Sequence, residues 1–240
     1  MKNKGWLKIT LWVIAITTFV FAAVVGVQFV LGWLFVNILP ADAFSFPIVT
    51  VLFSLIAYIL TVLIIVVLPP KIFKKKIQPI SRERLGLRGL PTWTDIGLSP
   101  IGYVASILLA TGLTSLFKLL PWFNPNQAQE LGYSQYLFGI DRGIAFVGLA
   151  IIAPIFEEII FRGWLYGKLR IKIPKWLAIL LTSLVFGAIH LQWNVGVTVF
   201  CMSVVTCILR EITGTIYAGM LVHMISNGLA FYLVYVAGMM

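Results

Sequence analysis

Three ionisable side chains fall together in the apolar segment PIFEEIIFRGW, namely Glu157, Glu158 and Arg162. Inside a bilayer each such group costs at least about 2.5 kcal/mol on insertion scales, so each requires a partner, a cavity or a function. Glu158 and Arg162 stand at positions i and i+4 of one helix face, where they are predicted to pair. Glu157 points about 100 degrees away and has no local partner. Glu157 is therefore the group that the helix alone does not explain.

The two histidines of the chain, His190 and His223, lie in two further apolar segments. Phe186 shares a helix face with His190, and Asn227 shares one with His223, because both pairs are spaced i and i+4. At about 1.5 Å per residue, Glu157 and both histidines are predicted to lie roughly 15 to 21 Å from one end of their segments. That is near the middle of a hydrocarbon core of about 30 Å, so the three groups are predicted to meet.

One carboxylate and two imidazoles at a common depth suit hydrolysis inside a membrane, where a water must be held and deprotonated. Glu157 is the candidate base, His190 either assists it or holds a metal, and His223 with Asn227 donates hydrogen bonds to an oxyanion. A divalent ion such as zinc on Glu157, His190 and His223 is left open, and no other cofactor is expected. The candidate catalytic residues are Glu157, Glu158, His190, His223 and Asn227, with Arg162 and Phe186 in support.

Structural roles compete with these functional ones. Glu158 with Arg162 is readily explained as a buried ion pair, and a histidine in an apolar helix often serves only as an interhelical hydrogen-bonding residue. Phe186 fits a packed core. Cys201 and Cys207 lie in one apolar segment on different helix faces, so they are predicted to pack and not to form a disulfide.

The elements that must position these groups are membrane-spanning helices. Of the 240 residues, 60% are hydrophobic and 11% are charged, with a mean hydropathy of +1.01, which is far more apolar than a soluble domain. An all-α polytopic bundle of about seven spans, six to eight by length, is predicted as a single transmembrane domain over 1–240. The predicted spans are 7–39, 48–68, 96–120, 143–166, 176–192, 195–209 and 213–236.

The net charge of +10 is concentrated beside these apolar runs. Basic residues in short loops mark the cytoplasmic side of a membrane, and they attract anionic lipid. The stretches 71–88 and 168–175 are therefore predicted to lie in the cytoplasm together with the N-terminus, and no nucleic-acid partner is expected. Residues 1–95 are predicted to supply two spans and the first basic loop, and 96–240 the core that carries the motifs.

The motifs Glu157-Glu158-x-x-x-Arg162, Phe186-x-x-x-His190 and His223-x-x-x-Asn227 resemble those of the CPBP family of intramembrane proteases. That family joins type II CAAX prenyl endopeptidases with Abi bacteriocin-immunity proteins, and the resemblance covers about 143–236. It implies a helical fold with a conical cavity, Glu157 and His190 as activators of water, and His223 and Asn227 as the oxyanion site. Whether the family uses a metal is left open, and the chain lacks a His-Glu-x-x-His motif.

Three functions follow as hypotheses. The first is an intramembrane endopeptidase acting on a membrane protein or on a lipidated or hydrophobic peptide, in the plasma membrane of a bacterium. The second is a non-catalytic scaffold or bacteriocin-immunity protein of the same fold. The third, a proton-coupled transporter, is disfavoured because the sequence has no internal repeat. The sequence does not identify the substrate or the oligomeric state.

Overall fold

The structure is a computed structural model that describes residues 3–40, 42–72, 80–127, 133 and 137–238. Its described residues form seven long helices and no strand, as the sequence predicts. Six of them are long and apolar enough to cross a membrane. The helices are α1 (Asn3–Ile38), α2 (Pro47–Ile72), α3 (Trp93–Phe117), α4 (Gly139–Leu169), α5 (Lys175–Ala188), α6 (Trp193–Thr213) and α7 (Tyr217–Tyr235).

Two helix lengths differ from the sequence prediction. The sixth run is predicted to be the short one, but α6 has 21 residues while α5 has only 14. The helix α5 ends early because Leu191 adopts a left-handed backbone with φ of 54°, which a helix cannot continue through. The helix α2 is also longer than predicted. It contains a π-helical segment at Leu63–Val67 and then continues through Pro69 and Pro70 to Ile72.

The start of α3 is fixed by a capping box. Thr92 is the N-cap and accepts a hydrogen bond from the backbone N–H of Asp95, whose side chain accepts one in return from the N–H of Thr92. Asp95 is fully buried, and it also accepts a hydrogen bond of 2.7 Å from the Thr215 hydroxyl. The same carboxylate therefore caps α3 and ties it to the turn that precedes α7.

The loops separate into two ends of the bundle. At one end the chain before α3 meets the turn between α6 and α7, because the Gly86 carbonyl accepts from the Ile216 N–H and the Arg84 carbonyl accepts from the Arg210 side chain. We call this the basic end, since Lys168, Arg170 and Lys172 also lie at it. At the opposite end the Asn194 side chain donates to the Gln127 carbonyl at 2.7 Å.

The helix α4 is irregular around the acidic pair. Two π-helical segments, Val147–Ile152 and Ile159–Tyr166, flank a regular α-helical segment, Ala153–Glu158, which has a proline in its first turn. Proline removes a backbone hydrogen bond, and π-helical segments occur often at functional sites. The second π-helical segment carries Arg162 into the buried centre of the bundle.

Candidate active site

A cavity of about 390 Å³ lies between α2, α3, α4, α6 and α7, with the turn after α5 forming one wall. Glu157, His190, His223 and Asn227 all line it. The convergence predicted from helix depth is therefore present in the fold. The remaining lining side chains are apolar or uncharged polar groups, among them Thr114, Leu149, Asn194, Thr198 and Ser226.

The Glu157 carboxylate is held from a helix that the motifs do not include. The Tyr58 hydroxyl on α2 donates a hydrogen bond of 2.5 Å to Oε1 of Glu157. The Tyr58 ring stacks on the ring of Phe156, with centroids 5.5 Å apart and planes 12° from parallel. Since the ring is held by stacking and the hydroxyl by Glu157, one carboxylate oxygen is fixed and Oε2 is directed toward His223.

The ion pair of Glu158 and Arg162, predicted from their spacing, is present below the cavity. Nη1 of Arg162 lies 2.8 Å from Oε1 of Glu158, and both side chains are fully buried. The other oxygen of Glu158 lies against α7 at Gly219, where an added Cβ would stand only 2.8 Å from it. The Arg162 guanidinium also lies 4.3 Å above the ring of Phe186, a cation–π arrangement. Glu158 thus forms part of the buried layer that supports the cavity floor.

His223 lies between the two carboxylates. Its Nδ1 is 3.4 Å from Oε1 of Glu158, and its Nε2 is 3.7 Å from Oε2 of Glu157. The side chain is only 3% exposed, so the ring is enclosed with a carboxylate of α4 near each nitrogen. One imidazole therefore connects the buried pair with the carboxylate in the cavity.

His190 is placed by the turn that ends α5, and not inside a helix as the i, i+4 spacing predicts. Its Nδ1 lies 2.8 Å from the Phe186 carbonyl. A carbonyl oxygen only accepts, so Nδ1 carries the proton and Nε2 of the neutral ring is left as an acceptor. The rings of Phe186 and His190 still meet, with centroids 5.2 Å apart. Phe186 also contacts His223 at 5.8 Å and is fully buried, so it packs beneath both imidazoles.

Asn227 is oriented by the neighbouring helix. Its Nδ2 donates a hydrogen bond of 3.0 Å to the backbone carbonyl of Leu149 on α4. An amide nitrogen carries two hydrogens, so this bond fixes the side chain and leaves one N–H for a group in the cavity.

In the described parts of the chain, no group of three His, Cys, Asp or Glu side chains has the proximity of a metal site. Glu157, His190 and His223 line one cavity but do not form a preassembled centre. The zinc hypothesis stays open, and the side chains alone can supply the chemistry proposed for the site.

Sequence reasoning missed Tyr58. It lies in α2, far along the chain from the motifs. The surrounding residues are apolar, and their spacing does not mark Tyr58 as a site residue. Its one signal is a polar tip within an apolar span, which requires a hydrogen-bond partner.

Residues 141–229 match the family described as type II CAAX prenyl endopeptidase Rce1-like. The matched segment runs from the first turn of α4 into α7 and contains every site residue predicted from the motifs. No curated protein and no solved structure matches the chain. The match confirms the resemblance drawn from the motifs, and at the family level it supports an intramembrane protease of the CAAX type in an integral membrane protein.

Proposed function

We propose, starting from the Rce1-like family match, that this protein is an intramembrane endopeptidase in which Glu157 activates a water molecule. The observation that carries the proposal is the contrast between the two adjacent acids. Glu158 is buried and paired with Arg162, whereas Glu157 faces a cavity beside both histidines. A carboxylate left without a cationic partner at membrane depth is a functional group by default.

The chemistry begins with a water bound between Glu157 and His190. Glu157 takes a proton from this water as its oxygen attacks the carbonyl carbon of the scissile peptide bond. Because Nδ1 of His190 donates to the Phe186 carbonyl, Nε2 is free to accept a hydrogen bond from the second O–H of the water. This hydrogen bond orients the water for attack. Glu157 then gives its proton to the leaving nitrogen and the C–N bond breaks. The products are an amine and a carboxylic acid, which keeps the second hydrogen of the water.

The oxyanion of the tetrahedral intermediate requires donors already in place. The free N–H of Asn227 is one such donor, since its other N–H is held by the Leu149 carbonyl. His223 is the second, since its Nε2 lies 3.7 Å from Oε2 of Glu157, beyond hydrogen-bond length, and an N–H there is free to turn to the oxyanion. Glu158 and Arg162 act through His223 in this proposal and do not touch the substrate.

The first experiment compares cells that carry the wild type with cells that carry Glu157→Ala or His190→Ala. Protein termini in their membranes are identified by mass spectrometry, with the level and insertion of each variant measured in the same samples. Termini lost in both variants establish a protease and identify its substrate. Unchanged termini together with a preserved cellular phenotype would instead favour the scaffold or immunity function.

A further inference from the structure

The catalytic cavity extends toward one end of the bundle. Along α4 its lining runs from Glu157 back to Ala153 and Leu149, and along α7 it runs from His223 forward to Asn227 and Phe231. The helix α4 approaches the basic end as it proceeds, and α7 leaves it. Both walls therefore lead away from the basic end.

The cavity reaches the loops at the opposite end, and we call this part of it the mouth. Pro125, in the loop after α3, and Asn194, in the first turn of α6, both line it. Asn194 is hydrogen-bonded to the Gln127 carbonyl in the same loop, which joins the two sides of the mouth. The cavity is thus continuous with the loops at that end.

Packed side chains close the cavity on the other side. Fully buried Phe161, Arg162 and Phe186 lie directly beneath it. Further toward the basic end the same core continues through Tyr166 and Leu169, which are also buried. A substrate at the basic end would have to displace this core to reach Glu157.

Charge assigns the two ends to the two sides of a membrane. Five basic side chains converge at the basic end on a surface cavity of about 610 Å³, and these are Arg84, Arg88, Lys168, Arg170 and Arg210. At the opposite end the described basic side chains are Lys118 and Arg142. Basic loops remain in the cytoplasm, so the basic end is cytoplasmic and the cavity mouth is on the outer side.

We infer that the substrate reaches Glu157 from the non-cytoplasmic side, as an extended, uncharged, apolar peptide segment. The inference rests on the proposed function and adds its substrate class. Among the described lining residues there is no Lys or Arg to pair with a terminal carboxylate, while Thr114, Asn194 and Thr198 offer hydrogen bonds to a peptide backbone. An internal segment of a chain fits such walls better than a free C-terminus does.

Accessibility of single cysteines to a membrane-impermeant maleimide tests the direction. Labelling of Asn126→Cys measures access to the loop at the mouth, and labelling of Thr198→Cys measures access to the cavity wall. Labelling of Lys172→Cys measures access to the basic end. The parent chain is the blank, because Cys201 and Cys207 are buried. We expect Asn126→Cys and Thr198→Cys to be labelled in intact cells, and Lys172→Cys only in inverted vesicles. A Thr198→Cys that is labelled only in inverted vesicles, or in neither preparation, would overturn the inference.

The same labelling in a Glu157→Gln background separates access from catalysis. Access does not need the base, so the pattern is expected to be unchanged there even if the protein proves to have no protease activity. The substrate class is tested with an end-capped, uncharged fluorogenic peptide supplied to intact cells. Cleavage that is lost in Glu157→Gln supports it. Cleavage confined to inverted vesicles, or confined to a peptide with a free carboxylate, contradicts it.

Discussion

Tyr58 on α2 donates its hydroxyl hydrogen to Oε1 of Glu157 on α4, with 2.5 Å between the two oxygens. Tyr58 precedes the matched segment 141–229, so the helix that completes the candidate site is supplied by the N-terminal part of the chain. Since Tyr58 touches Glu157 and is not required to touch the substrate, it acts as a positioning residue. It holds one carboxylate oxygen while the other faces His223.

Tyr58→Phe removes only this hydroxyl and keeps the ring stacked on Phe156. A hydrogen bond to a charged group contributes about 1.5 to 3 kcal/mol, so kcat is expected to fall by about 10- to 100-fold, since 1.4 kcal/mol is tenfold. KM should change little because the cavity walls are preserved. The matched control is Tyr103→Phe on α3, which lines a neighbouring cavity and not the one that holds Glu157. Equal losses in the two variants would contradict the positioning role.

The two adjacent acids are expected to respond differently to the same substitution. Glu157→Gln should lower turnover by about 10²- to 10⁴-fold, the usual contribution of a general base, while the unfolding midpoint in detergent stays close to wild type. Glu158→Gln leaves the fully buried Arg162 without its counter-charge, which costs about 3 to 5 kcal/mol of stability. Thermal unfolding and peptide cleavage, measured on the same preparations, check both. A stable but inactive Glu158→Gln would move the base to Glu158.

Substitution of Gly219 is predicted to reduce stability because of the nearby Glu158 side chain. A Cβ at Gly219 would stand 2.8 Å from Oε2 of Glu158 and 3.2 Å from Cβ of Thr206, so Gly219→Ala must displace the carboxylate that holds Arg162 and His223. We expect a lower unfolding temperature and reduced cleavage. Gly112→Ala is the control, because nothing lies within 4 Å of its added methyl and alanine favours a helix over glycine. A neutral Gly219→Ala would show that the Glu158 layer is not tightly packed.

The spacing of residues along one helix predicted the contacts made within that helix. Glu158 and Arg162 pair because they are one helical turn apart, and Glu157 meets the histidines because membrane thickness fixes the depth at which helix midpoints lie. The contacts of Tyr58 and Gly219 join helices far apart in the chain, and no periodicity carries that information. Leu191 has a positive φ that leucine rarely adopts, so its residue type did not indicate the turn that ends α5.

Removal of divalent metal tests the zinc hypothesis. The proposed mechanism uses Glu157 as the base without a metal, so cleavage by purified protein should survive prolonged treatment with 1,10-phenanthroline. The control is a known zinc protease treated in parallel, to show that the chelator is effective in the same detergent. Loss of activity that zinc restores, with about one metal per chain by elemental analysis, would assign Glu157, His190 and His223 as ligands.

Anionic phospholipid is expected to bind at the basic end. Arg210 is poised for this, since its Nη2 donates to the Arg84 carbonyl while its Nη1 is buried without a hydrogen-bond partner among the described residues. Arg84 and Arg88 line the same cavity and add charge that suits a phosphate headgroup. Phosphatidylglycerol should therefore raise the unfolding temperature in detergent more than phosphatidylcholine does.

The double variant Arg84→Gln/Arg88→Gln should lose most of that difference. Lys172→Gln/Lys175→Gln removes the same charge at the same end but outside the cavity, so it should keep the difference. Inorganic phosphate at matched ionic strength distinguishes a lipid site from a site for the free anion. If both double variants lose the effect equally, the lipid responds to the overall charge of this face, because general attraction depends on the number of basic residues near the surface and not on where they converge.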